Sequence, residues 1–135
     1  MRSQIFINLP VKNLTKAKDF YTQIGFTNNP QFSDETAACM FFSEEIFVML
    51  LTHDRFKTFI KKDIPDTSKT TGVIHSISVE NVVKMNEMAD KAISVGAIEP
   101  TEPKDYGFMQ QRSFEDLDGH FWEVFYMDMS QFPKS

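Results

Sequence analysis

The chain has 135 residues, of which 41% are hydrophobic and 24% charged, as expected for one globular domain with its own core. Its net charge of −5 opposes binding to the phosphates of nucleic acid, and no Lys/Arg cluster interleaved with aromatic residues is present. One cysteine (Cys39), no signal-peptide pattern and no membrane-spanning apolar run lead us to expect a cytoplasmic protein that binds neither nucleic acid nor membrane.

The first half of the chain predicts a strand, a helix and three further strands. Residues 5–11 are mostly apolar and predict a strand. Asn13 is a suitable helix N-cap, and apolar residues recur at helical spacing from there to Ile24, where Gly25 would end the helix. The segments that follow are separated by turn-prone residues and predict strands over 26–32, 36–42 and 46–51 and a short helix over 53–60.

The second half repeats this order. Residues 73–79 predict a strand, Asn81 can cap a helix over 82–95, and Gly96 would end it. Residues 97–106 contain two prolines, which favour an irregular or edge strand. The last two strands are predicted over 108–115 and 120–127, joined at Asp118-Gly119, a pair that favours a hairpin.

The repeated order indicates two similar modules within a single domain. We place the first module with its short helix at 1–61, a linker at 62–71, the second module at 72–129 and a tail at 130–135. Each half alone leaves one face of a sheet uncovered, so two such halves are expected to curve around a shared space. The predicted fold is therefore α+β: two tandem βαβββ modules that form a curved, cup-shaped mixed sheet with the helices outside.

Two stretches carry a resemblance to a known group of proteins. Residues 9–14, running on to Phe20-Tyr21 and Ile24-Gly25-Phe26, resemble the strand, capped helix and "FY…LGF" ending of the vicinal-oxygen-chelate superfamily. Residues 114–123 resemble its "F-x-D-P-D-G-x-x-x-E" ending, with Leu117 in place of the proline. This superfamily includes glyoxalases, extradiol dioxygenases and bleomycin-binding proteins.

The resemblance implies one divalent metal (Zn, Ni, Mn or Fe) held by His, Glu or Gln side chains on the first and last strands of both halves. Carried over, these positions fall on Glu123, on Val48 (or Met49 if the register slips), on Phe6 and on Ile74. Only Glu123 is a suitable donor, so a complete metal site is not expected. His75 adjoins Ile74 but should face the helices, and a β-bulge would be needed to turn it toward the metal.

Glu123 has three possible roles. It could pair structurally with Arg112 on the neighbouring strand, contact a substrate or ligand as a catalytic or anchoring group, or bind a metal. The 14 Phe and 8 Met residues could fill a core or line a cavity. The residues expected to line a ligand site around Glu123 are Phe6, Asn8, Val48, Ile74, Ser76, Met109, Gln111, Phe121 and Phe125.

Three functions fit these patterns. The first is a protein that binds a small, partly apolar molecule, with a cation suited to the acidic site, and without the full catalytic metal site. The second is a metal-dependent lyase, isomerase or dioxygenase with an unusual ligand set that includes Glu123. The third is a degenerate scaffold or dimerisation module. Whether the chain is an enzyme stays open, and the resemblance implies a homodimer.

Overall fold

The computed structural model describes residues 2–131, and the chain divides into two compact units between Asp66 and Thr67. Each unit contains a strand, a helix and three further strands in that order. The α+β fold of two βαβββ repeats predicted from the sequence is therefore present. Most of the predicted tail, residues 132–135, lies outside the described residues. Within residues 2–131, no helix has the length and apolar character needed to cross a membrane.

The first unit is a four-stranded sheet with a helix packed on one face. The sheet has the strand order β1-β4-β3-β2, in which β1 and β4 are parallel and the other neighbours are antiparallel. Its elements are β1 (Ile5–Val11), α1 (Leu14–Gln23), β2 (Thr27–Asn29), β3 (Ala37–Phe41), β4 (Ile46–Thr52) and the short α2 (His53–Lys57).

Helix α1 begins and ends where the sequence predicts. The side-chain oxygen of Asn13 accepts a hydrogen bond of 3.0 Å from the backbone N–H of Lys16, which satisfies a donor that has no partner within the helix. The buried side chains of α1 are Ala17, Phe20 and Tyr21, and the helix packs against β3 and β4. The apolar residues that recur at helical spacing in the sequence thus form the face of α1 that packs against the sheet.

The second unit has the same construction. Its sheet has the order β5-β8-β7-β6, with β5 and β8 parallel and the other neighbours antiparallel. Helix α3 is capped by Asn81, whose side chain accepts 2.8 Å from the N–H of Lys84, and it packs against β7 and β8. The elements are β5 (Ile74–Ser78), α3 (Val82–Ser94), β6 (Lys104–Asp105), β7 (Met109–Glu115) and β8 (Phe121–Met127).

Three predicted elements are shorter in the structure. The strand predicted over 26–32 ends at Asn29, because Pro30 begins a 3-10 turn and supplies no backbone N–H to a ladder. The helix predicted over 53–60 ends at Lys57. The proline-containing stretch 97–106 pairs with β7 only at Ile98 and through the two-residue β6, as an irregular edge.

The turn between β7 and β8 is built around Asp116 and Gly119. The Asp116 carboxylate accepts 2.9 Å hydrogen bonds from the backbone N–H groups of Asp118 and His120. Gly119 has φ +88°, a left-handed conformation that L side chains rarely adopt. The Thr67 hydroxyl donates 2.5 Å to the carbonyl of Asp118, so the backbone of Thr67 lies directly against this glycine.

Replacing Gly119 by alanine is expected to destabilise the protein for two separate reasons. The positive φ is strained, and a Cβ would lie 2.8 Å from the carbonyl carbon of Thr67. We expect a loss of about 2–3 kcal/mol in the free energy of unfolding, measured by urea denaturation. Gly107→Ala is the matched control, since Gly107 has φ +85° with nothing near its Cβ, and about 1 kcal/mol is expected there. Equal losses in both variants would contradict the close approach of Thr67.

Candidate functional site

The pairing register of the second sheet decides which side chains lie beside Glu123. In β8 it is directly opposite Ser76 of β5 and Ser113 of β7, and directly paired residues project from the same face of a sheet. The face that carries Glu123, opposite to the buried layer against α3, is called here the Glu123 face. Its residues are Ile74, Ser76, Ser78, Lys104, Met109, Gln111, Ser113, Glu115, Phe121, Glu123, Phe125 and Met127.

Two neutral side chains hold the carboxylate of Glu123. The hydroxyl of Ser76 donates 3.0 Å to Oε1, and the amide Nε2 of Gln111 donates 3.2 Å to Oε2. Glu123 is half-buried, and these two bonds orient its carboxylate from the neighbouring strands on either side. Ser76 and Gln111, expected from the sequence to line a ligand site, thus position Glu123.

The pairing of Glu123 with Arg112 considered from the sequence is wrong. Arg112 is opposite Val124 in the register, so it projects from the other face of the sheet. There it lies buried and forms ion pairs of 2.7 Å with Asp90 and 3.0 Å with Glu99. The hydrogen bonds that Arg112 donates to Glu99, and then the one it donates to Asp90, raise the pKa of Arg112, although burial lowers it. Arg112 is a structural cation of the helix-facing layer.

Apolar side chains flank Glu123 along its own strand and the next. Phe121 and Phe125 lie two residues before and after it on the same face, and both are half-buried. Met109 at the far end of β7 is half-buried, and Ile74 is 56% exposed. The Glu123 face therefore combines one oriented carboxylate with an apolar surround.

The predicted site residues of the first unit divide between the two faces of its sheet. Phe6 and Asn8 share a face, and the ring of Phe6 stacks on that of Phe47 with centroids 4.4 Å apart. Val48 is fully buried on the opposite face, so its expected position beside Phe6 is wrong. Met49 is opposite Asn8 in the register, as Glu123 is opposite Ser76, and is therefore its counterpart in the repeat.

His75 and His120 belong to the buried layer of the second unit. The ring of His75 lies against Trp122, with centroids 4.8 Å apart, as the strand alternation predicts. His120, at the end of the turn before β8, is only 7% exposed. Its backbone N–H donates a buried hydrogen bond of 2.9 Å to the Asp116 carboxylate within the turn.

The donor set does not fit a divalent metal. A catalytic ion of this kind needs about three protein ligands from His, Asp, Glu or Cys. Glu123 is held instead by a hydroxyl and an amide, and within residues 2–131 no group of three or more such ligands comes together. His75 projects from the face opposite Glu123, without the bulge that would have been needed to turn it.

Sequence reasoning missed Ser113, which pairs directly with Glu123 and whose buried hydroxyl shares a 2.7 Å hydrogen bond with Thr101. Counting back from the Asp116–Gly119 turn predicts this pair, because Glu115 and Phe121 close the hairpin. It also missed Phe47, which no motif marks.

Acidification is expected to destabilise the protein through His75. Burial, and secondly the charge of His120, lower the pKa of His75 below its ordinary value. The unfolded chain therefore binds this proton more readily, and stability is lost as the pH falls below about 6.5 toward the lowered pKa. His75→Gln should flatten the pH dependence of urea unfolding between pH 7.5 and 5.5, measured against His53→Gln on α2 as the control. An unchanged slope in His75→Gln would contradict this assignment.

No family model matches the chain, and no curated protein matches it in sequence. Solved structures do match over nearly the whole chain. A hypothetical protein from Staphylococcus aureus is 21% identical, with TM-score 0.78 and coverage of 93% of this chain and 94% of that one. A glyoxalase/bleomycin resistance protein/dioxygenase family enzyme from Burkholderia phytofirmans is 12% identical, with TM-score 0.76 and coverage of 93% and 99%.

The fosfomycin resistance protein FosX from Mesorhizobium loti is 9% identical, with TM-score 0.70 and 96% of each chain covered. Structural matches at identities this low establish the fold of the chain, but they do not establish its activity. The chain has the same fold as these glyoxalase/bleomycin resistance/dioxygenase proteins, the fold that its two sequence motifs predict.

Proposed function

We propose that this protein binds a small, partly apolar molecule and that the Glu123 face is its binding surface. The observation that carries the proposal is the half-buried Glu123 carboxylate, oriented by Ser76 and Gln111. Binding sites for small molecules are commonly apolar surfaces with a few precisely placed polar groups. The flanking phenylalanines provide the apolar part, and the carboxylate provides the polar anchor.

The orientation of Glu123 favours a binding role over a purely structural one. A structural carboxylate in a folded domain is usually matched with a cation or with backbone N–H groups. Asp116 is of that kind, since its oxygen accepts two backbone hydrogen bonds within the turn. Glu123 is instead held by two side chains that are not otherwise needed for the ladder, and the arrangement leaves acceptor capacity on both oxygens.

The glyoxalase-type alternative, a metal-dependent lyase, isomerase or dioxygenase, is weaker because of the donor set around Glu123. A metal bound there would supply Lewis-acid stabilisation of an oxyanion. One carboxylate with a serine and a glutamine does not supply the charge or the ligands that a catalytic divalent ion needs. The homodimer expected from the resemblance stays a prediction.

Ligand binding is tested by a thermal-shift screen of small molecules followed by NMR titration of the hits. Backbone amide shifts are expected to concentrate at residues of β5, β7 and β8, including Ser76, Gln111 and Glu123. Phe125→Ala should weaken binding of a hit about tenfold, because it removes the apolar surface of the phenylalanine ring from the contact with the ligand. Val83→Ala, at an exposed position of α3, is the control. Hits whose shifts fall entirely outside these three strands would refute the proposed surface.

Metal analysis tests the alternative. Protein purified without chelator and titrated with Zn²⁺, Ni²⁺, Mn²⁺ or Fe²⁺ is expected to show no stoichiometric binding in calorimetry or elemental analysis. One metal per chain that disappears in Glu123→Gln, with His53→Gln as the control, would instead establish a metal site at Glu123. That result would favour the metal-dependent enzyme over the binding protein.

A further inference from the structure

The charge of Glu123 has no counter-charge within the part of the chain that the structure describes. Its hydrogen-bond partners are the neutral Ser76 and Gln111, and each donates to a different oxygen. Among residues 2–131, none of the ion pairs includes Glu123. A carboxylate accepts about four hydrogen bonds, so about two positions stay open for a ligand.

The positively charged side chains nearest in the register are not placed to neutralise it. Arg112 projects from the opposite face and is already bound by Asp90 and Glu99. Lys104 is in register with Gln111, on the edge strand β6, which is two strands and so about 10 Å away from β8. Lys104 is exposed to solvent and forms no ion pair within the described residues.

A second carboxylate strengthens the negative character of the face. Glu115 is directly opposite Phe121 in the register, so it projects from the same face as Glu123. The only basic residue that the register places on this face is Lys104. An anionic ligand would therefore be repelled, and a neutral one would leave the charge of Glu123 unmatched.

The surround of Glu123 identifies the kind of cation. A metal ion needs further nitrogen or oxygen ligands, which Phe121 and Phe125 do not supply. An organic cation gains from both parts of the surface: its N–H groups bond to the carboxylate, and its body packs on the phenylalanine rings, whose faces attract positive charge. The half-buried setting of Glu123 also reduces the screening of this interaction by water.

We infer that the ligand bound at the Glu123 face is an organic cation, with an ammonium group at Glu123 and an apolar or aromatic body over Phe121 and Phe125. This inference rests on the proposed function and names the class of ligand. No bond is made or broken in such binding, and the role of Glu123 is that of an anchor. Ser76 and Gln111 are positioning residues, because they act by orienting the carboxylate.

The test compares three probes of similar size that differ in charge: 2-phenylethylamine, 2-phenylethanol and phenylacetate. Affinities are measured by NMR titration of the wild type, Glu123→Gln and Glu115→Gln at low and high salt. The wild type should bind the amine about tenfold or more tightly than the alcohol, and the acid most weakly. Glu123→Gln keeps the size and an acceptor oxygen, and it should bring the amine and alcohol affinities within about twofold of each other.

Glu115→Gln removes the same charge from the same face and should leave most of the preference for the amine. If both variants lose it equally, the general negative potential of the face is responsible, and the specific anchoring by Glu123 is refuted. If the wild type binds the alcohol as tightly as the amine, the cation inference fails while the proposed function stands. If neither these probes nor any screened compound shifts the amides of β5, β7 and β8, the proposed function fails and the inference with it.

Discussion

The register of β8 between β5 and β7 is the constraint on which the site depends. It places Ser76 and Ser113 directly beside Glu123 and brings Gln111 within 3.2 Å of the same carboxylate. A shift of one residue would exchange the faces, sending Glu123 into the apolar layer and Trp122 out of it. Because Trp122 and Val124 are almost completely buried, such a shift would be very costly, and the hydrophobic core thereby fixes the polar site.

Side chains alternate between the two faces of the sheet, and this alternation separates the charges of Arg112 and Glu123. The two residues are on neighbouring strands, but their side chains project from opposite faces of the sheet into different surroundings. Arg112 is buried and forms ion pairs with both Asp90 and Glu99, so its charge is already matched within the protein. Glu123 has neutral partners and an apolar surround, so its charge is available to a ligand. The structural ion cluster and the candidate binding surface therefore occupy opposite faces of one four-stranded sheet.

The internal repeat explains how one scaffold carries two different surfaces. Both units have the same asparagine-capped helix and the same sheet order. At the equivalent paired positions, the first unit has Asn8 with Met49 and the second has Ser76 with Glu123. The first unit stacks Phe6 on Phe47 on that face, whereas the second places a carboxylate between phenylalanines. The backbone hydrogen bonds of the sheets do not depend on these side chains, so the two faces can carry different residues while the fold stays the same.

Much of this protein follows from the sequence alone. Local signals determined the β1–α1 and β5–α3 units, since the capping asparagines, helical spacing and Gly25 or Gly96 act within a few residues of each other. The hairpin turn likewise determined that Glu123 lies on β8. Only the tertiary structure decided three other features: the hydrogen-bond partners of Glu123, the burial of His120, and which residue of β4, Met49 and not Val48, is the counterpart of Glu123. Those depend on how strands distant in sequence pair, and a one-residue difference in that pairing moves a side chain to the opposite face.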